Sequence, residues 1–309
     1  MPLYLTEAEI GELLTPRDAL DAVEACFIRQ ARGAIDNRPR TRIPVEEGVF
    51  ALMAASDTEL RLAGLKSYVW APAGTPFIVV LFDVERAELA AVIEADKMGQ
   101  LRTGAASGVA AAHLAKSNAT TLGVIGCGWQ AETQVACIRE AVPTIERVVV
   151  YCRSESRLEE FCKRVGAEPG ETHRDAGEQD VVVTVTTSKD PVLRGEWLRP
   201  GALVCAVGAN EPGARELDNA VLERATFVCV DSREQARLES GDLIEPVEHG
   251  VLDWLEVHEL QEVVAGEVPG RQADADVVLF KSNGIAAWDV AIGAVAVERA
   301  RERGVGRSL

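Results

Sequence analysis

The sequence predicts an α/β protein in which a doubly wound parallel sheet is joined to a second, discontinuous α+β unit. Three observations predict it. From Thr120 onward, short apolar strands alternate with polar or amphipathic helical stretches, the pattern of a parallel sheet with crossover helices. One of those strands runs into a glycine-rich turn and then a helix. At 309 residues the chain is also longer than the roughly 250 residues at which one core usually splits into two, so the different pattern before Thr120 reads as its own unit.

The elements follow in order. Thr6-Glu7-Ala8-Glu9 is a capping box that starts a helix. Thr15-Pro16-Arg17-Asp18 places a cap, a proline at the first helical position and an acid in the first turn, opening a second helix that runs to about Ala31. Phe50 to Ala54, Leu62 to Trp70, Phe77 to Asp83 and Leu89 to Glu94 read as strands separated by turns such as Ala73-Gly74-Thr75-Pro76. Asp96 caps a helix over Lys97 to Ala115, rich in glycine and alanine and suited to close packing. Strands then fit Thr121 to Ile125, Arg147 to Cys152, Asp180 to Val185, Leu203 to Val207 and Phe227 to Val230. Val277 to Phe280 precedes a last helix, Ile285 to Arg303, whose Ala and Val stripe is expected to return to the first unit.

Composition excludes several classes of function. A formal net charge of -17 argues against nucleic acid or an anionic membrane as partner. No apolar run approaches the ~20 residues of a membrane span, and no targeting segment precedes Thr6, so the chain reads as cytoplasmic. Seven scattered cysteines, several inside Val-rich runs, look like small core residues, and disulfides are not expected. His113, His173, His249 and His258 are far apart, with no paired ligand spacing; no metal is expected.

The chemistry-bearing motif is Thr121-Leu122-Gly123-Val124-Ile125-Gly126-Cys127-Gly128-Trp129-Gln130-Ala131, a G-x-G-x-x-A turn between strand and helix. Gly126 permits the tight turn, Gly128 lets a pyrophosphate approach the backbone, and Ala131 lets helix and strand pack closely, as in a Rossmann dinucleotide site. The helix N-terminus offers free N–H groups to phosphates. Where NAD-selective folds keep an acid at the end of the second strand, this chain has Tyr151-Cys152-Arg153-Ser154. A guanidinium beside a hydroxyl suits a 2′-phosphate, so NADP(H) is favoured and NAD(H) is possible. Thr184-Val185-Thr186-Thr187-Ser188 and Val207-Gly208-Ala209-Asn210 place polar groups at two further carboxyl ends.

Leu101-Arg102-Thr103-Gly104-Ala105-Ala106, the Ile125 to Ala131 turn, Val207-Gly208-Ala209-Asn210-Glu211-Pro212 and Phe280-Lys281-Ser282-Asn283-Gly284 resemble, in order, landmarks of the ornithine cyclodeaminase and mu-crystallin family, from about Leu5 to Arg303. The resemblance implies a homodimer. Each subunit would have a split substrate-binding and dimerisation domain, 1–118 and 282–309, and a Rossmann domain, 119–281, with hydride transfer at an amino acid α carbon. It implies a substrate-carboxylate clamp of Arg42, Lys66 and Arg102, with Lys66 also exchanging a proton at the reacting nitrogen. Cofactor contacts would fall on Thr103, Gly126, Gly128, Trp129, Gln130, Ala131, Arg153, Ser154, Thr186, Thr187, Val207, Gly208, Lys281 and Ser282.

The residues themselves agree in part. Lys66 interrupts an apolar strand, where a charge needs a partner, and burial beside arginines would lower its pKa. Within Arg38-Pro39-Arg40-Thr41-Arg42, however, any one arginine could be the ligand. Two features depart from the cyclodeaminase pattern. Asn210 stands at the position of the family's catalytic Asp, and an amide accepts no proton, which removes the obvious general base. Phe280-Lys281-Ser282 resembles the ketimine reductase branch rather than the F-D-S of cyclodeaminases. The expected activity is therefore NAD(P)H-dependent reduction of a small imino acid, or the reverse dehydrogenation. A cyclodeaminase using catalytic NAD and a non-catalytic small-molecule binding protein are the alternatives.

Overall fold

The computed structural model describes residues 1–72 and 74–309; Ala73, the first residue of the expected turn before Phe77, lies outside the described residues. The chain begins with β1 (Leu3–Leu5), α1 (Glu7–Leu13), α2 (Pro16–Ala31), β2 (Ile35–Val45), β3 (Gly48–Asp57), β4 (Leu62–Trp70), β5 (Phe77–Asp83), β6 (Glu88–Glu94) and α3 (Asp96–Leu114). It continues through β7 (Thr121–Ile125), α4 (Trp129–Ala141), β8 (Arg147–Tyr151), α5 (Glu155–Val165), β9 (Glu168–Pro169), α6 (His173–Gly177), β10 (Val181–Thr184) and β11 (Leu203–Ala206). Next come α7 (Asn219–Arg224), β12 (Ala225–Val230), α8 (Arg233–Glu239), α9 (Gly241–Glu248), β13 (Val257–Glu259), α10 (Leu260–Val264) and β14 (Val277–Lys281), and the chain ends with α11 (Ala286–Arg303) and β15 (Arg307–Ser308). Two compact units result, one of residues 1–102 with 284–309 and one of residues 103–283, and their first junction runs through α3.

Both capping boxes form as the sequence implies: Thr6 with Glu9 opens α1, and Thr15 with Asp18 opens α2 behind Pro16. In the first unit the sheet order is β15-β1-β6-β5-β4-β3-β2, with β2 through β6 an antiparallel meander. Strand alternation turns Ala51, Met53, Val79, Leu81 and Ile93 into the core. Helix α11 covers that face by packing on α2, β3 and β4, so the terminal helix does return to the first unit. The opposite face leaves Ile78 and Phe82 exposed.

Strand β2 is absent from the sequence-based expectation, which begins the strands at Phe50. Its two prolines, Pro39 and Pro44, and three arginines hide it, since they break the apolar alternation. It forms because it is the edge strand, where Pro39 withholds no ladder bond that matters, and the register shifts between Arg38 and Thr41 around it.

The second unit is a parallel sheet of order β13-β12-β14-β11-β10-β7-β8-β9, with Val182, Val204 and Leu279 fully buried at its centre. The order reverses at β7, which has β8 on one side and β10 on the other; ligands of such sheets bind outside the carboxyl ends at that point. Among the described residues no helix is long and apolar enough to cross a membrane.

One expectation is overturned. Cys127 and Cys152 form a disulfide, while Cys26, Cys137, Cys162, Cys205 and Cys229 are buried and free. Scatter along the sequence concealed the pair. Parallel pairing of β7 with β8 sets Ile125 opposite Tyr151, which brings the residues just beyond those strand ends to a Cα separation of 5.8 Å, within the range a disulfide spans. The bond closes a loop of 25 residues, and constraint of the unfolded chain on that scale is worth about 3 kcal/mol. Reduction, or Cys152→Ser, is expected to lower the unfolding free energy by up to that amount; a urea titration with and without reductant checks it, and coincident midpoints would show that the bond contributes nothing.

Candidate active site

In the first unit a charge cluster lies on the core face of the sheet. Met53, Lys66 and Val79 are cross-strand neighbours, so the alternation that buries the two apolar residues also carries Lys66 inward. Only 3% of Lys66 is exposed. Its ammonium donates to Asp289 Oδ1 at 3.2 Å and lies 5.1 Å from the Phe77 ring centre. Asp289, on α11, is 1% exposed and shares the same oxygen with Arg102 Nε at 3.5 Å. Arg102 comes from α3 and stacks 5.7 Å from the Trp288 ring. Two glycines make room: a Cβ at Gly99 would lie 2.9 Å from the Lys66 nitrogen, and one at Gly284, whose φ is +77°, would lie 2.3 Å from Arg102 Nη1.

The electrostatics of the cluster are one-sided. Burial pushes the Lys66 pKa down, and the Arg102 charge pushes it further; Asp289 opposes them, Arg40 adds to the depression, and the result is about 8. Arg102 is 7% exposed, yet its Nη1 has no hydrogen-bond partner, a rare condition for a buried guanidinium. Two cations thus share one carboxylate oxygen, and the charge of Arg40 is felt at Lys66. Arg40 is the arginine of β2 whose charge acts on Lys66; Arg42 pairs with Ala51 and so shares the core-facing side of the sheet, half-buried. A buried cationic group of this kind is suited to holding a small anion.

In the second unit the glycine turn is formed as its sequence requires. Gly126 has φ +117°, and a Cβ there would lie 2.4 Å from the Val185 carbonyl oxygen. Gly128 caps α4 with no side-chain bond to the first turn, and a Cβ added to it would meet nothing within 4 Å. Ala131 is fully buried, Gln130 half-buried and Trp129 exposed. Open space over an uncapped helix of 13 residues is what a pyrophosphate needs, so these residues fit a dinucleotide. The Cys127–Cys152 bond ties this turn to the end of β8. There Arg153 is exposed, with no ion pair among the described residues, and Ser154 caps α5 without a side-chain bond. Burial and the Arg153 charge hold His173 below the usual imidazole range.

The remaining predicted contacts divide by accessibility. Thr103 on α3, Val207 and Gly208 are partly exposed, as is Asn210 in the loop after β11, and Thr187 is exposed. Thr186 is partly exposed, but its hydroxyl donates to Glu216 at 2.8 Å. Lys281 and Ser282 differ from the expectation. Lys281 is fully buried, its ammonium donating to the Ala209 carbonyl and pairing with Asp242 at 3.1 Å. Ser282 is 2% exposed and donates to Asp231 at 2.9 Å. Both are engaged inside the protein, at the ends of the strands that carry them. Sequence reasoning missed Asp289, Glu216, Asp242 and Asp231. Each is an acid whose partners lie mainly on other elements, Asp289 and Lys66 being 223 residues apart, and no motif spacing signals it.

Residues 2–304 match the model of the ornithine cyclodeaminase/mu-crystallin family. An alanine dehydrogenase of Archaeoglobus fulgidus is 34% identical, with 99% of this chain and 98% of that protein covered. The structure of a Thermococcus litoralis Δ1-pyrroline-2-carboxylate reductase in complex with NADH and L-proline superposes with TM-score 0.94 at 32% identity, covering 99% of this chain and all of that one. An archaeal alanine dehydrogenase dimer with bound NAD superposes with TM-score 0.93 at 34% identity, covering all of this chain and 98% of that one. The chain belongs to the ornithine cyclodeaminase/mu-crystallin family.

Proposed function

We propose that the protein is an NAD(P)H-dependent oxidoreductase acting on the α carbon–nitrogen bond of a small amino or imino acid, working as an imino acid reductase. The observation that carries this reading is the buried surplus of positive charge around Asp289, with an unsatisfied Arg102 donor. A substrate carboxylate balances that surplus. Arg102, with Arg42 or Arg40 from β2, grips the carboxylate; Lys66, as an ammonium, donates a proton to the imine nitrogen. Asp289 orients Lys66 and Arg102 and keeps the lysine protonated to higher pH than burial alone would allow. A bound reduced nicotinamide supplies the hydride that goes to the α carbon.

The turn at Gly126 and Gly128 is the proposed pyrophosphate site, and Arg153 with Ser154 the site of a 2′-phosphate, which favours NADP(H). The names of the structural relatives, which bind NADH or NAD, support a nicotinamide cofactor of either kind. Asn210 supports reductase over cyclodeaminase, because no carboxylate stands there to take a proton. A homodimer fits the exposed apolar face of the first sheet, where Ile43, Ile78 and Phe82 are more than two-fifths exposed, and the dimer of the related alanine dehydrogenase.

The direct test supplies Δ1-pyrroline-2-carboxylate and linear imino acids with NADPH or NADH and follows oxidation of the reduced cofactor. Net oxidation is expected. Release of ammonia from ornithine with no net change in reduced nicotinamide would replace this reading with a cyclodeaminase. In the same assay Arg153→Ala is expected to weaken NADPH about tenfold more than NADH, the scale of a lost charge-assisted hydrogen bond, and equal losses would remove the 2′-phosphate assignment.

The pH dependence follows from the sign of the Lys66 shift. Reduction needs the ammonium, so kcat/KM in that direction is full below about 8 and declines as pH rises through it; the oxidative direction needs the neutral amine and behaves oppositely. Asp289→Asn removes the charge that favours the ammonium, so the declining limb is expected at lower pH. A limb that stays in place would show that Asp289 does not set the Lys66 equilibrium.

A further inference from the structure

The loops that leave β10 and β11 are joined through one fully buried carboxylate. One oxygen of Glu216 accepts the Thr186 N–H at 2.7 Å and the Thr186 hydroxyl at 2.8 Å. The other accepts the Gly208 N–H at 2.7 Å, the Thr184 hydroxyl at 3.0 Å and the Ala209 N–H at 3.2 Å. The carboxylate is itself anchored. The backbone N–H groups of Glu216 and Leu217 donate to Asp242 at 2.7 and 3.0 Å, and Asp242 pairs with Lys281, which also holds the Ala209 carbonyl. The two loops are pressed together at this point: a Cβ on Gly208 would lie 2.4 Å from both Glu216 Oε1 and the Thr186 backbone.

Topology says which part of a ligand these loops would face. The order of the sheet reverses at β7, with β8, Arg153 and Ser154 on one side and β10 and β11 on the other. In a sheet of this kind the two halves of a dinucleotide lie on opposite sides of the reversal. With the adenosine half toward β8, the nicotinamide half falls to the β10 and β11 loops. Glu216 is too buried to touch it.

We propose that Glu216 is a positioning residue for the nicotinamide half: by fixing the Thr186 and Gly208 backbones to each other, it sets the surface on which that half rests. The proposal rests on the reading of the second unit as a dinucleotide site. A role confined to stability would weaken every part of the nucleotide alike, whereas a positioning role weakens only the nicotinamide end.

The test uses Glu216→Gln, which keeps the size of the side chain but turns one acceptor into an NH2 group facing donors. Calorimetric titration compares NADPH with 2′-phospho-ADP-ribose, which lacks the nicotinamide. The dissociation constant for NADPH is expected to rise about tenfold, on the scale of disturbed hydrogen bonds to a charged group, while that for 2′-phospho-ADP-ribose changes less than about twofold. Equal change for both ligands, or none for either, overturns the proposal. If Glu216→Gln does not fold, Thr186→Val removes one hydroxyl donor at constant shape, and the same split at about threefold is expected; its absence likewise overturns the proposal. If wild-type protein binds neither ligand, the same comparison is made with NADH and ADP-ribose, and binding of none of the four removes the dinucleotide reading itself, and this proposal with it.

Discussion

The first unit depends on one buried carboxylate that two cations share. Asp289 offers the same oxygen to Lys66 and Arg102, and Arg40 adds a third positive charge nearby. Such a group is a poor way to stabilise a fold. Desolvating an ion costs several kcal/mol, and buried ion pairs can often be replaced by apolar residues with no loss of stability. The surrounding packing must hold the cluster in place: α11 delivers Asp289, the strand alternation delivers Lys66, and Gly99 and Gly284 clear the space that the cations occupy. An anion placed at Arg102 would offset that positive charge.

The second unit repeats the principle with the opposite sign. Glu216 is an anion surrounded by donors, and its five hydrogen bonds join loops that no sheet ladder connects. Burial pushes its carboxyl upward in pKa, and Lys281 with the Thr186 donors opposes that. Buried polar networks of this kind are worth having only when nearly every member is satisfied, because a half-satisfied one is worse than an apolar core. In both units an acid out of reach of solvent ties together groups from different segments: Asp289 lies 223 residues from Lys66, and Glu216 joins residues 7 to 32 positions before it.

That distance explains what the sequence could and could not disclose. The dinucleotide turn was legible because its requirements are local: Gly126, Gly128 and Ala131 each answer a constraint within one strand, turn and helix. Lys66 was legible because a charge inside an apolar strand is anomalous without any partner being known. Asp289 was not, since a lone acid on a helix is ordinary until α11 is laid across β4. Strand β2 was hidden by Pro39 and its arginines, features that only an edge position makes acceptable. The family resemblance puts Lys281 among the cofactor contacts, and its ion pair with Asp242, 39 residues before it, carried no local signal. The disulfide was missed for the same reason as the acids, because pairing of β7 with β8, not sequence spacing, brings Cys127 to Cys152.

Held between Arg102 and Asp289 out of solvent, Lys66 is set to lose its proton near pH 8. An NMR titration of lysine side chains in the protein without substrate, with the Lys66 signal assigned by its loss in Lys66→Met, reads this directly. A midpoint near 8 is expected, and a midpoint at the ordinary lysine value of 10.5 would contradict the account.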